Sequence, residues 1–298
     1  MSSAQRVLVI YKKSAYQIYV REHRHWQVGA LLRAGDAAVS GMMRAHKAHE
    51  QTLQEARRVL HDMGVRATFR RRSVRGSASS FDLVVTIGGD GTLLWASQMV
   101  GAGRPVLAVN SAPEDSVGYF CAVSRKGLRD ALADALAGRL RETQLSRMSV
   151  TIDGKVASTR VLNDVLFSHY SPAATTRYAI RLRGRSEQHK SSGVWIATAA
   201  GSTAAIRSAG GRLLPISSPE LQFVVREPYQ LGRKPYRVLR GTIAPGERLE
   251  IQSHMRAGRL FFDGPHVWHT IEIGARLAFY LSDEPLTLLG FRGRRARS

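Results

Sequence analysis

Five consecutive residues, Gly88-Gly89-Asp90-Gly91-Thr92, set a single carboxylate inside a glycine turn. Glycines reach positive φ freely and let a ligand meet the main chain without a Cβ in the way. Successive N–H groups where a strand gives way to a helix favour a phosphate. A carboxylate in such a place repels phosphate unless it has a task. It could hold Mg²⁺ or take the proton of an attacking hydroxyl. A strand–helix turn with Asp90 as its cap needs only one of these residues, and three glycines around one acid exceed that need. The chain has no GxxxxGK[ST] and no GxGxxG run, so any phosphate is handled by another architecture.

Two other segments carry chemistry. Thr198-Ala199-Ala200-Gly201-Ser202-Thr203-Ala204-Ala205 follows the apolar run VWIAT, and Ser208-Ala209-Gly210-Gly211 comes next. Small side chains let a flat ring or a ribose lie on the backbone, and hydroxyls supply adaptable hydrogen bonds; a glycine-rich turn opening a short helix is the plain alternative. Asn163-Asp164 interrupts the apolar strand VLNDVLF. Adjacent Asn and Asp are poor strand formers, and one points to each face, so at least one needs a partner or water. A bulge at a sheet edge would serve equally. The histidine pairs His23/His25, His46/His49 and His266/His269 lack a third ligand at a suggestive spacing, which favours surface or core histidines over a metal site. No GxSxG nucleophile elbow occurs. The one cysteine, Cys121, sits among Phe120, Ala122 and Val123 and reads as a small buried apolar residue.

The elements that must position these residues fall in two textures. Val7 to Tyr11, Asp82 to Ile87 and Pro105 to Val109 are short apolar runs, as expected of strands buried on both faces. A helix is expected over Met42 to Met63, ended by Gly64. Further helices follow the glycine turn (LLWASQMV) and run from Leu128 to Leu140. This alternation predicts an α/β domain with a parallel sheet over residues 1–144, the glycine turn at its carboxyl edge, where ligands bind. From 145 the texture changes: a hairpin at Asp153-Gly154, then alternating or apolar runs such as Tyr178 to Leu182, Leu221 to Val225 and Arg276 to Leu281, with a second Asp-Gly at 263–264. A β-rich, sandwich-like domain is expected over 145–281.

The chain has 298 residues, and its 37 Arg and 7 Lys against 23 acids give a net charge of +21. Such a balance suits a polyanion, but the basic residues are spread along the whole chain, as an Arg-rich surface set by base composition would have them. Arg70, Arg71, Arg72 and Arg75 form a cluster that could face a phosphate. The tail Arg292, Arg294, Arg295 and Arg297 reads as a solvated terminus. No apolar run reaches membrane-spanning length and no signal-peptide pattern is present, so a cytoplasmic protein is expected.

With these residues in view, the sequence resembles the NAD kinase family, the ATP-NAD(H) kinases. GGDGT, NDV and SSGVWIATAAGSTAAIRSAGG occur in the family's order. The pieces KKSAY, NSAPEDSVGYF, NDVLFSHYSPAATTRY, LQFVVREP and LFFDG look most like the branch that includes plant NADH-preferring kinases. The resemblance implies a NAD kinase/diacylglycerol kinase-like fold whose segment 282–298 returns to the first domain. It implies transfer of the γ-phosphoryl group of ATP, or of polyphosphate, to the 2′-hydroxyl of the adenosine ribose of NADH or NAD⁺, with Mg²⁺ on the donor. Asp90 matches the catalytic aspartate. Gly88, Gly89, Gly91 and Thr92 match the turn beside the phosphates. Asn163 and Asp164 match the pair that holds the adenosine, and Thr203, Ala204, Ala205 and Ser208 the loop around the nucleotide. Arg177, Lys190 and Ser192 sit where the family places polar contacts to the substrate.

Three departures bear on the acceptor. The commoner Ser-Asp-Gly is Ser191-Ser192-Gly193 here, the aromatic after GSTA is Ala205, and the glutamine after the late Asp-X is Pro265. Losing a carboxylate near a nicotinamide that is positive only when oxidised leans the chain towards NADH or use of both forms. The resemblance also implies a homodimer or higher homo-oligomer, no membrane and no specific nucleic acid. The alternatives are a GGDGT-type sugar or lipid kinase and a non-catalytic polyanion-binding module.

Overall fold

The computed structural model describes residues 5–74, 76–229 and 235–293; Arg75, Arg294, Arg295 and Arg297 lie outside them. The chain forms two compact units, one of residues 1–143 with 287–298 and one of residues 144–286.

In the first unit the chain runs through β1 (Arg6–Tyr11), α1 (Trp26–Ala34), α2 (Met42–Asp62), β2 (Arg66–Arg71), β3 (Leu83–Gly88), α3 (Asp90–Ser97), β4 (Pro105–Asn110), β5 (Val123–Ser124), α4 (Leu128–Leu136) and β6 (Glu142–Leu145). Val7 to Ile10 and all of β3 are buried, which is why both read as unbroken apolar runs. α2 presents one stripe, with Leu53, Ala56, Val59 and Leu60 buried, to the sheet. It is followed by Gly64, whose φ of +66° favours a residue without a Cβ. The strand order, completed by β19 (Leu286–Leu289), is β2-β1-β3-β4-β19-β6, with β5 against β4. β1 pairs in parallel with β2 on one side and β3 on the other. The order therefore reverses between β1 and β3, and their carboxyl ends flank the crevice where open α/β sheets bind ligands.

The second unit packs two antiparallel sheets of six strands. One is formed by β7 (Met148–Ile152), β8 (Lys155–Val161), β10 (Thr176–Leu182), β11 (Arg185–Ser191), β15 (Leu249–Ser253) and β18 (Arg276–Leu281). The other is formed by β9 (Asp164–His169), β12 (Gly193–Ala197), β13 (Leu221–Arg226), β14 (Arg240–Ile243), β16 (Gly258–Phe262) and β17 (Val267–Ile271). Tyr178, Ile251 and Phe279 of the first sheet share one core with Phe167, Phe223 and Phe262 of the second, which makes the unit a sandwich. Asp153 and Gly154 both have positive φ and turn β7 into β8; Asp263 and Gly264 do the same for β16 and β17.

One expected strand is not continuous. VLNDVLF breaks at Leu162 and Asn163, between the end of β8 in one sheet and the start of β9 in the other. Asn163 stands at the corner where the chain changes sheets. β9 lies between β12 and β16, so the polar pair is not a bulge at a sheet edge.

Candidate functional site

The glycine turn is built from the buried end of β3. Gly89 is extended (φ −131°, ψ −163°) and α3 begins at Asp90. None of Gly88, Gly89 and Gly91 has positive φ, so space and not left-handed backbone requires them. A Cβ at Gly88 would overlap Thr92 Oγ1, and one at Gly89 would come within 2.6 Å of Ser116 Oγ. Gly91 differs: its nearest neighbour would be Arg72 Nη1 at 3.7 Å, an ordinary contact. No contact among the described residues needs a glycine there. Gly91→Ala is therefore expected to stabilise α3 by about 0.5–1 kcal/mol, since alanine is the better helix former. If phosphates pass over this turn, the same methyl lowers kcat/KM on the order of 10²-fold. A thermal melt alongside steady-state kinetics checks both signs.

Asp90 does not cap α3. Its Oδ2 accepts from Tyr119 N and its Oδ1 from Phe120 N, both at 2.9 Å. The loop that supplies these amides is folded by Asn110, whose Nδ2 donates to the Ser116 carbonyl at 3.1 Å. Gly118 there has φ +57° and lies against the Asn110 side chain. The half-buried carboxylate is thus fixed in direction and keeps an acceptor lone pair on each oxygen. Thr92 Oγ1, buried beneath the turn, has no hydrogen-bond partner. Cys121 close by is no nucleophile: burial first, then the Asp90 charge, pushes its thiol up to about 12.

In the second unit the NDV corner and the GSTA segment form one locus. Thr198 N donates to the Asn163 carbonyl at 2.9 Å, and Thr198 Oγ1 to the Leu162 carbonyl at 2.5 Å. Gly201 packs directly on the Asn163 main chain, where any Cβ would collide with its carbonyl. Asp263 clasps the corner from the β16–β17 turn: its carboxylate accepts from Leu162 N at 3.1 Å and Asn163 N at 2.6 Å. Two polar atoms of the pair are left poised. Asn163 Oδ1 is buried without a partner. Asp164 is 6% exposed, and burial, then the Asp263 charge, raises its carboxyl to about 7. Thr203, Ala205 and Ser208 are exposed and Ala204 half-buried, so the segment offers an open, small-residue surface beside the corner.

Arg177 and Lys190 are not at that corner. They face each other across β10 and β11, while Ser192 lies at the other end of β12 from Thr198, where the Arg226 guanidinium donates to its carbonyl at 3.4 Å. Two contributors were not singled out from the sequence: Asp263, which reads there only as a turn residue, and the Tyr119–Phe120 amides, which bear no side-chain signature. Among the described residues no group of three or more His, Cys, Asp or Glu side chains is arranged to hold a metal ion, and no helix is long and apolar enough to cross a membrane.

The family model for the ATP-NAD kinase N-terminal domain matches residues 7–140. A probable NADH kinase of Oryza sativa subsp. japonica is 34% identical over 262 residues, 80% of this chain and 80% of its own. An NADH kinase of Arabidopsis thaliana is 31% identical over 263 residues, covering 80% and 82%. The crystal structure of an NAD kinase from Archaeoglobus fulgidus in complex with ATP shares the fold, with a TM-score of 0.68 over 97% of this chain and 94% of that one at 17% identity. A parallel-sheet unit carrying GGDGT, a sandwich carrying NDV and GSTA, and relatives matched over four-fifths of the sequence place this chain in the NAD kinase family.

Proposed function

We propose that the protein transfers the γ-phosphoryl group of ATP to the 2′-hydroxyl of the adenosine ribose of NADH or NAD⁺, giving NADPH or NADP⁺ and ADP. The observation that carries the reading is Asp90, a carboxylate pinned by two amides at the N-terminus of α3. The O2′–P bond forms as the bridging P–O bond to the β-phosphate breaks, and the hydroxyl proton passes to Asp90. Little covalent work falls to the protein; orientation and charge do most of it. Gly88, Gly89, Gly91 and Thr92 form the turn beside the phosphates. Asn163 Oδ1 suits an amine donor such as that of adenine, and Asp164 suits a ribose hydroxyl. Thr203, Ala204, Ala205 and Ser208 pack beside the nucleotide, and Arg177, Lys190 and Ser192 add polar contacts farther along it.

Mg²⁺ fits this donor set as an ion carried by the donor phosphates with most of its waters. Asp90 is the one carboxylate of the turn with free lone pairs to meet it, and the ion would neutralise phosphate charge. The reading carries with it a cytoplasmic homo-oligomer.

The acceptor is NADH in preference to NAD⁺. Ser192 brings no carboxylate of its own, which removes one charge partner for an oxidised nicotinamide, while the nearby Arg226 is paired with Glu227 at 3.9 Å. The test is a two-by-two assay on purified protein, NADH or NAD⁺ against ATP or polyphosphate. The highest kcat/KM is expected for NADH with ATP. A large NAD⁺ preference overturns the acceptor assignment, and no 2′-phosphorylated product in any arm overturns the reaction. A sugar or lipid kinase and a polyanion-binding module find no support among the relatives.

A further inference from the structure

Two half-buried cations stand without an ion-pair partner among the described residues on the bank of the β1–β3 crevice. Lys12 leaves the end of β1 and Arg72 the end of β2, and the main chain locks them side by side. Arg72 N donates to the Tyr11 carbonyl at 2.8 Å, and Lys12 N to the Ile87 carbonyl at 3.4 Å, one residue before the glycine turn. His49 fixes the same point from α2. It is fully buried, and burial lowers it to about 4, so it is neutral. Its Nε2–H donates to the Lys12 carbonyl at 2.8 Å, which leaves Nδ1 to accept from Ser111 Oγ at 2.8 Å.

Two neighbouring cations are neutralised. Lys13 pairs with Glu22 at 2.6 Å and Arg44 with Asp115 at 2.5 Å. Lys12 has no such partner among the described residues. Burial and then the Arg72 charge lower its pKa, with only Asp115 opposing. Arg72 is itself depressed by burial. Among the described residues its guanidinium makes one hydrogen bond, a long one of 3.5 Å from Nη1 to the Gly91 carbonyl, which puts it beside the turn. Two like charges held together in partial burial destabilise the fold unless an anion joins them.

We infer that Lys12 and Arg72 form a two-cation seat for the phosphoanhydride chain of the phosphoryl donor, Lys12 as a point charge and Arg72 as a planar fork beside Gly91. The inference rests on the kinase reading for its role and on the crevice geometry for its place. The cations meet the phosphates and not the base, so ATP and polyphosphate share the seat.

Lys12→Met, Arg72→Met, the double variant and Lys12→Arg test it with two readouts. The first is thermal melting with and without inorganic tripolyphosphate. Without anion each methionine variant should melt above the parent, because repulsion is relieved. Tripolyphosphate should raise the parent's midpoint and leave that of the double variant unmoved. The second is steady-state kinetics. Donor KM should rise about 10- to 100-fold in each methionine variant, for ATP and polyphosphate alike, with KM for NADH unchanged and Lys12→Arg restoring most of the loss. A parent that ignores tripolyphosphate, a double variant that still responds, or an unchanged donor KM overturns the seat. If the parent yields no phosphorylated coenzyme, the kinase reading fails, and the melts alone still decide whether the pair binds a phosphate chain.

Discussion

Asp90→Asn is expected to lower kcat about 10²- to 10⁴-fold, the range over which a positioned base acts, while the Kd values for ATP and NADH stay close to the parent's. An amide cannot take up the hydroxyl proton. It also cannot reproduce the anchoring, because both carboxylate oxygens accept main-chain N–H groups, from Tyr119 and Phe120. Whichever way the asparagine turns, its NH₂ faces one of these donors, and one amide loses its acceptor at a cost of about 1–3 kcal/mol. The variant should therefore melt lower and turn over slowly at the same time. Isothermal titration with NADH separates the two effects. Weakened binding in step with kcat would mean the loop had collapsed, whereas intact binding with lost turnover isolates the proton acceptor. A variant within tenfold of the parent kcat would remove Asp90 from the chemistry.

What was legible in the sequence follows from what leaves a mark on side chains. The buried strands β1, β3 and β4 read cleanly because burial on both faces demands an apolar residue at every position. The Asp-Gly hairpins read cleanly because two consecutive positive φ values restrict the residue types. β2 and β11, by contrast, leave no apolar run in the sequence. Their sequences RATFRR and RSEQHKS belong to edge strands, where little of either face is covered. The site shows the same division. GGDGT and Asn163-Asp164 stand out as residue types that violate their surroundings. The groups that aim them do not: the Asp90 anchors are peptide N–H groups 29 and 30 residues downstream, and Asp263 holds Asn163 from 100 residues away. Even the glycines were found for a reason other than the one that applies, since close packing on Thr92 and Ser116 requires Gly88 and Gly89. Of the described arginines of the cluster, Arg72 reaches the turn, whereas Arg70 donates to the Gly76 carbonyl.

Asp164→Asn should make the protein more stable and a worse enzyme. The native carboxyl titrates at about 7 and the unfolded one near 3.8, a rise caused by burial and then by Asp263. Between these values the native state holds a proton that the unfolded chain has released, so stability falls as pH rises from about 4 to 7. Above 7 the full penalty applies, at most ~4 kcal/mol from a displacement of about three pH units. Asparagine has the same shape and no charge, and the clasp of Asp263 on the main chain does not involve the replaced atoms. The variant should match the parent's stability near pH 4 and exceed it by several kcal/mol at pH 8, read by denaturant titration at both. Function runs the other way. A ribose hydroxyl donating to the ionised carboxylate favours the charged form, so the parent's KM for NADH should fall as pH rises through 7, while that of the variant stays flat and about 10- to 100-fold higher. A buried acid that weakens the fold at working pH is explicable if the ligand supplies what the protein withholds. Equal stability of the two proteins at pH 8, or equal KM, would break that link between the strained carboxylate and the dinucleotide.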